Sequence, residues 1–113
     1  MTVTITLFQE CSKLQVTNEW PNGFNGRLPF TMDHDTGGSW TIFLSFDGKL
    51  DQFTVYQGQV STSDWRNFEV DNLNWDGDLD NGDSFTIEML GLFSNGGRPK
   101  MISARIDNED ICN

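Results

Sequence analysis

At 113 residues the chain is long enough for one domain and too short for two, and a chain of this size buries only part of its surface on folding. The formal charge of −10, with 17 acidic side chains against seven Lys and Arg, leaves no basic cluster to neutralise phosphates or to meet an anionic lipid surface. Neither nucleic acid nor membrane is an expected partner, and no stretch has the apolar length of a spanning helix.

Taken from the N-terminus, Val3, Ile5 and Leu7 alternate with Thr2, Thr4 and Thr6, the pattern of a half-buried strand. Residues 1–10 lack the basic region and apolar run of a signal peptide, so a secretion signal would have been removed or would lie in a larger parent chain. Trp20 then sits in polar company, Asn18-Glu19-Trp20-Pro21-Asn22-Gly23, and reads as a turn residue. Trp40, Ile42, Leu44 and Phe46 share one parity and predict a core strand, with Trp40 buried. Phe53 and Val55 predict another, and Tyr56 falls on the outward parity. Trp65 is opposite in parity to Phe68 and Val70 and reads as a partly covered loop ring. Trp75 stands at a turn, Asn72-Leu73-Asn74-Trp75-Asp76-Gly77, and the runs Phe85–Met89 and Met101–Ile106 complete the strands.

Turn pairs separate these runs: Pro21-Asn22-Gly23, Asn25-Gly26, Gly37-Gly38, Asp47-Gly48, Asp76-Gly77, Asn81-Gly82 and Asn95-Gly96-Gly97. Short alternating strands, frequent turns and no helical periodicity predict an all-β, antiparallel β-sandwich of about eight to nine strands, immunoglobulin-like or jelly-roll-like. Residues 1–113 read as one domain, and a monomer is expected.

Two cysteines bracket the domain, Cys11 and Cys112. Joined, they close a loop of roughly 100 residues, for which the chain-entropy model gives at most about 4.7 kcal/mol. Such a pair on a Gly-rich β-domain favours a disulfide over two unrelated buried thiols, and with it an oxidising, extracellular compartment.

Large aromatics among polar turn residues either pack over their own turns or form a binding surface, and parity leaves both readings open for Trp20 and Trp75. Catalysis is not expected. A glycosidase needs two carboxylates in a cleft, whereas the acidic residues here lie mostly in turns or on outward strand positions. The single histidine, His34, has no evident nucleophile partner. Asp76, Asp78, Asp80 and Asp83 are weak metal candidates. Read as an EF-hand loop, Asn81 and Ile87 would occupy the glycine and glutamate positions, so the alternative of a calcium-dependent adhesion or structural domain rests only on a looser site. No cofactor is indicated.

From Cys11 to Cys112 the sequence resembles a family 2 carbohydrate-binding module. The matching features are Cys11; Asn18-Glu19-Trp20-Pro21-Asn22-Gly23-Phe24; Gly38-Ser39-Trp40-Thr41-Ile42; Phe46-Asp47-Gly48; Tyr56; Asn74-Trp75-Asp76-Gly77-Asp78-Leu79; Asn81-Gly82; and Cys112. The resemblance implies a non-catalytic module, joined to a glycoside hydrolase in its parent chain, that adsorbs to insoluble β-1,4-linked polysaccharide, cellulose or chitin. It places the family's three exposed, coplanar aromatics on Trp20, Tyr56 and Trp75 and its buried tryptophan on Trp40. It also makes Gly23 the residue that lets the first ring lie flush, where an arginine would turn it upright. Asn18, Arg27, Gln57, Asn72 and Asn74 lie near these rings in sequence and are candidates for hydrogen bonds to sugar edges. The chain departs from the family pattern in having Tyr56 where tryptophan is usual, a very acidic turn after Trp75, an added Trp65, and residues 1–10 as a possible extra edge strand.

Overall fold

The structure, a computed structural model, describes residues 9–94 and 96–112; the strand expected over Val3–Leu7 lies outside them. Nine strands and no helix are found there: β1 (Gln15–Trp20), β2 (Gly23–Thr31), β3 (Thr41–Phe46), β4 (Gln52–Val55), β5 (Gly58–Thr62), β6 (Asn67–Asn72), β7 (Ser84–Leu92), β8 (Met101–Ile106) and β9 (Glu109–Asp110). All pairings are antiparallel. They build a four-stranded sheet, β1-β2-β7-β4, and a five-stranded sheet, β5-β6-β3-β8-β9. This is the β-sandwich that the alternation predicts.

One apolar core fills the space between the sheets. Ile42, Leu44 and Phe46 of β3 are buried, with Trp40 just ahead of the strand; Phe53 and Val55 of β4, Phe68 and Val70 of β6, and Ile87 and Met89 of β7 face them. Phe46, Phe53 and Phe68 meet edge-on or tilted, with ring centroids 4.6–5.8 Å apart. The ends are joined by Cys11–Cys112, whose Cα atoms are 4.9 Å apart. Beside it, Cys11 N–H donates to the Met101 carbonyl and the Ser12 hydroxyl to that of Cys112.

Two turn expectations are corrected. Asn25-Gly26 lies inside β2, paired with Leu90 and Met89 of β7. Gly26 faces the core, where a Cβ would stand 3.2 Å from Leu14 Cδ1 and 3.4 Å from Met89 Cγ. Space for neighbours, not a left-handed backbone, calls for glycine there. Trp20 is the last residue of β1, and only Pro21 and Asn22 turn before Gly23 pairs back with it. In β8, a register shift opposite Ser45 and Phe46 brings Met101 into the core, so strict alternation fails across Met101–Ser103.

Candidate functional site: an aromatic-bearing sheet face

The outer face of the four-stranded sheet follows from the pairing. Residues 23, 25 and 27 of β2 point away from the core because Phe24, Gly26 and Leu28 point into it. One cross-strand row reads Trp20, Gly23, Leu92, Gln52; the next reads Asn18, Asn25, Leu90, Thr54. A third begins Gln15, Arg27, Glu88 and ends at Tyr56, whose N–H donates to the Glu88 carbonyl. Trp20 and Tyr56 thus occupy opposite corners, three strand spacings across and four residues along, roughly 20 Å on the backbone.

At the first corner the Trp20 indole lies against Gly23. A Cβ at position 23 would come within 2.6 Å of ring atoms Cε2 and Cζ2 and 2.7 Å of Nε1. Any side chain there would push the ring off the sheet. Glu19, Pro21, Phe93 and Arg98 flank the same hollow, and cover of this kind leaves Trp20 half-buried.

Tyr56, 55 % exposed, occupies the Tyr56–Gln57 turn that carries the chain from β4 into the other sheet. Trp75, 74 % exposed, caps the loop after β6. Because Gly58 pairs with Asn72, Tyr56 (two residues before) and Trp75 (three after) leave the sandwich at the same edge.

The Trp75 loop is held from beneath. The buried Trp40 donates its indole N–H to the Asp76 carbonyl at 2.8 Å, and the Thr36 hydroxyl donates to that of Gly77 at 2.6 Å. Asp76 Oδ1 accepts the Leu73 N–H at 2.7 Å. Asp76 is itself buried, Oδ2 finds no hydrogen-bond partner, and burial raises its pKa above the usual carboxylate value. Asp76 is therefore a strut of the Trp75 loop.

The other aspartates also differ from the calcium reading. Asp83 Oδ2 accepts the Asp80 N–H, and Asp35 Oδ1 accepts that of Asn81. The carboxylates of Asp78 and Asp83 raise the pKa of Asp80 by repulsion, and among the described residues Asp76, Asp78, Asp80 and Asp83 form no convergent donor set.

The polar candidates divide. The side chains of Asn18, Arg27 and Asn74 are exposed and make no hydrogen bond to another described residue. Asn72 is spent on the fold, its Oδ1 accepting the Trp40 N–H and its Nδ2 donating to the Leu73 carbonyl. Gln57 is engaged as well: Oε1 accepts the Glu88 N–H at 2.7 Å and Nε2 donates to Glu88 Oε1 at 3.2 Å. Asn25, Gln52 and Thr54 share the outer face and were not singled out from the sequence. Gln52 and Thr54 could have been, because they alternate with buried Phe53 and Val55.

Comparison with known proteins places the chain in a family. The family described as cellulose binding domain matches residues 10–109. The chain belongs to that family. Solved structures similar to this cellulose-binding-domain member include the chitinase ChiA74 from Bacillus thuringiensis, at 24 % identity and a TM-score of 0.65, over 83 % of this chain and 14 % of that one. The chitin-binding domain of Chi18aC from Streptomyces coelicolor is 22 % identical with a TM-score of 0.56, over 85 % of this chain and 88 % of that one. The chitin-binding domain of a Pyrococcus furiosus chitinase is 14 % identical with a TM-score of 0.57, over 87 % and 95 % respectively. At these identities the likeness is one of fold. No curated protein sequence matches the chain significantly.

Proposed function

We propose that the module adsorbs to the surface of an insoluble β-1,4-linked polysaccharide, chitin or cellulose, through Trp20, Tyr56 and Trp75 acting as one flat platform. The observation that carries this is Trp20 lying against Gly23 on the outer sheet face, with Tyr56 and Trp75 exposed at the far edge. Sugar rings in these polymers present apolar C–H faces and hydroxyl rims. Aromatic rings cover the faces, while Asn18, Asn25, Arg27, Gln52 and Asn74 are placed or exposed so as to meet the rims. Separated corners suit a rigid ligand spanning several sugars, since a crystal surface loses little freedom when bound. The −10 charge is immaterial to a neutral glycan.

The similar chitin-binding domains support chitin, membership of a cellulose-binding-domain family supports cellulose, and both polymers offer the same flat face. A non-catalytic role in a secreted parent enzyme is part of the reading. Its support is the family, the disulfide, and the small share of the Bacillus chitinase that the chain covers. The test is depletion of the protein from solution by crystalline chitin, crystalline cellulose and an insoluble α-glucan. Depletion by at least one β-linked polymer and not by the α-glucan is expected; equal retention by all three, or by none, contradicts the proposal.

A further inference from the structure

At the other end of β2 from the Trp20 hairpin, the β2–β3 loop meets the β8–β9 turn. There Asp33, His34, Asp107, Asn108 and Glu109 line an open hollow. One donor atom from each of Asp33, His34 and Glu109 lies within 4.8 Å of the other two. His34 Nδ1 is 3.1 Å from Asp33 Oδ1 and 3.9 Å from Glu109 Oε1. The opposite ring nitrogen, Nε2, is 2.8 Å from Asp107 Oδ2. Asp107 is fixed in turn: its Oδ1 accepts the Thr41 N–H at 3.1 Å, and its own N–H donates to the Thr41 carbonyl at 2.8 Å.

We propose that Asp33, His34 and Glu109 form a binding site for zinc or a similar borderline divalent transition metal, with Asp107 bracing the imidazole from behind. Tetrahedral donors bonded at about 2.0–2.2 Å stand about 3.4 Å apart, between the 3.1 Å and 3.9 Å found from His34 Nδ1, and the Asp33 N–H holds Glu109 Oε1 toward the hollow at 2.6 Å. A carboxylate on the second ring nitrogen is what a metal-bound histidine generally has, because it fixes Nε2 as the protonated nitrogen and leaves Nδ1 free to ligate. Charge favours an ion. Three carboxylates surround one imidazole, and the ion pairs found for them are with His34. An imidazolium would leave two negative charges uncompensated, whereas a divalent ion with neutral imidazole leaves one. Glu109 adds a reason, since its side chain is only 11 % exposed, and a carboxylate taken out of water calls for a positive partner. An imidazole with two carboxylates suits zinc, while calcium and magnesium prefer all-oxygen shells of six or more ligands.

The site would tie two connections together at the end of the sandwich opposite Trp20; the nine residues of β2 span roughly 27 Å. Its expected effect is on stability. The test is a zinc chloride titration of tag-free, ¹⁵N-labelled protein. His34 is the only histidine, so its ring nitrogens report without ambiguity. Expected are saturable binding of one ion per chain, a large shift of the His34 Nδ1 resonance, and a rise of several degrees in Tm that calcium and magnesium do not reproduce. His34→Gln should abolish the binding, and Asp107→Asn should weaken it by about 10–100-fold. Absence of saturable binding at millimolar zinc, an unmoved Nδ1 resonance, or undiminished binding by folded His34→Gln protein would each overturn the proposal. The wild-type resonance decides the matter even where a variant does not fold.

Discussion

Trp40 and Gly23 connect packing to the proposed platform: one supports the Trp75 loop and the other makes room for the Trp20 ring. Trp40 is 2 % exposed, stacks at a tilt on Phe85, and sends its indole N–H to the backbone that presents Trp75. Removing its ring leaves a large cavity and an unpaired Asp76 carbonyl, so Trp40→Ala should cost about 3–5 kcal/mol, read from denaturant melts. A loss below about 1 kcal/mol would show that the residue is not a core anchor. Gly23 acts by having no side chain. Gly23→Ala would intrude on the Trp20 indole, which must lift. Adsorption should fall about tenfold, equivalent to about 1.4 kcal/mol, with little change in Tm; unchanged adsorption would mean that the ring need not lie flat.

Among the elements, the β5–β6 connection shows how an exposed ring is held in place. Trp65 has a φ of 61°, in the left-handed region, and its ring packs edge-to-face on Phe68 at 6.2 Å. Asp64 organises this loop by accepting the Asn67 and Arg66 N–H groups and the Asn67 side-chain amide. These bonds, the Asn67 N–H foremost, hold its pKa down to about 2 from an ordinary 3.8. A depressed carboxylate contributes stability in full above its unfolded value and loses it as pH falls from there through about 2. An NMR titration should give an Asp64 midpoint near 2, and Asp64→Ala should remove that part of the acid sensitivity; a midpoint near 3.8 would contradict the capping role.

Strands β3, β4, β6 and β7 were legible because bulky residues alternate with polar ones. Strands β1 and β2 were not, because Asn18, Trp20, Asn25 and Gly26 have turn chemistry, and only pairing across β1, β2 and β7 makes them strand. The exposure of Tyr56 was foreseeable from parity, whereas for Trp75 parity and local polarity left both readings open. The support beneath Trp75 was not foreseeable, since Trp40 and Asp76 are 36 residues apart and meet only in the folded sandwich.

Across the whole molecule, the Cys11–Cys112 bond closes a 101-residue separation and fixes the edge of the five-stranded sheet against the start of the chain. Its reduction should lower Tm by roughly 10 °C or more, within the chain-entropy ceiling of about 4.7 kcal/mol. A shift under a few degrees, at complete reduction, would show that the sheets hold the ends without it. None of the three proposed platform residues, Trp20, Tyr56 and Trp75, contacts the disulfide through a hydrogen bond or ring contact, so adsorption below the melting point should survive reduction.

The most direct measurement is a set of adsorption isotherms on crystalline chitin and crystalline cellulose for the parent, Trp20→Ala, Tyr56→Ala and Trp75→Ala, each with a thermal melt. Neither Trp20 nor Trp75 belongs to the buried core, so both variants should melt close to the parent. Each should bind weaker by about 2 kcal/mol, roughly thirtyfold, on the polymer that retains the parent, and Tyr56→Ala should lose somewhat less. If folded Trp20→Ala and Trp75→Ala both adsorb like the parent, the platform is not the binding surface.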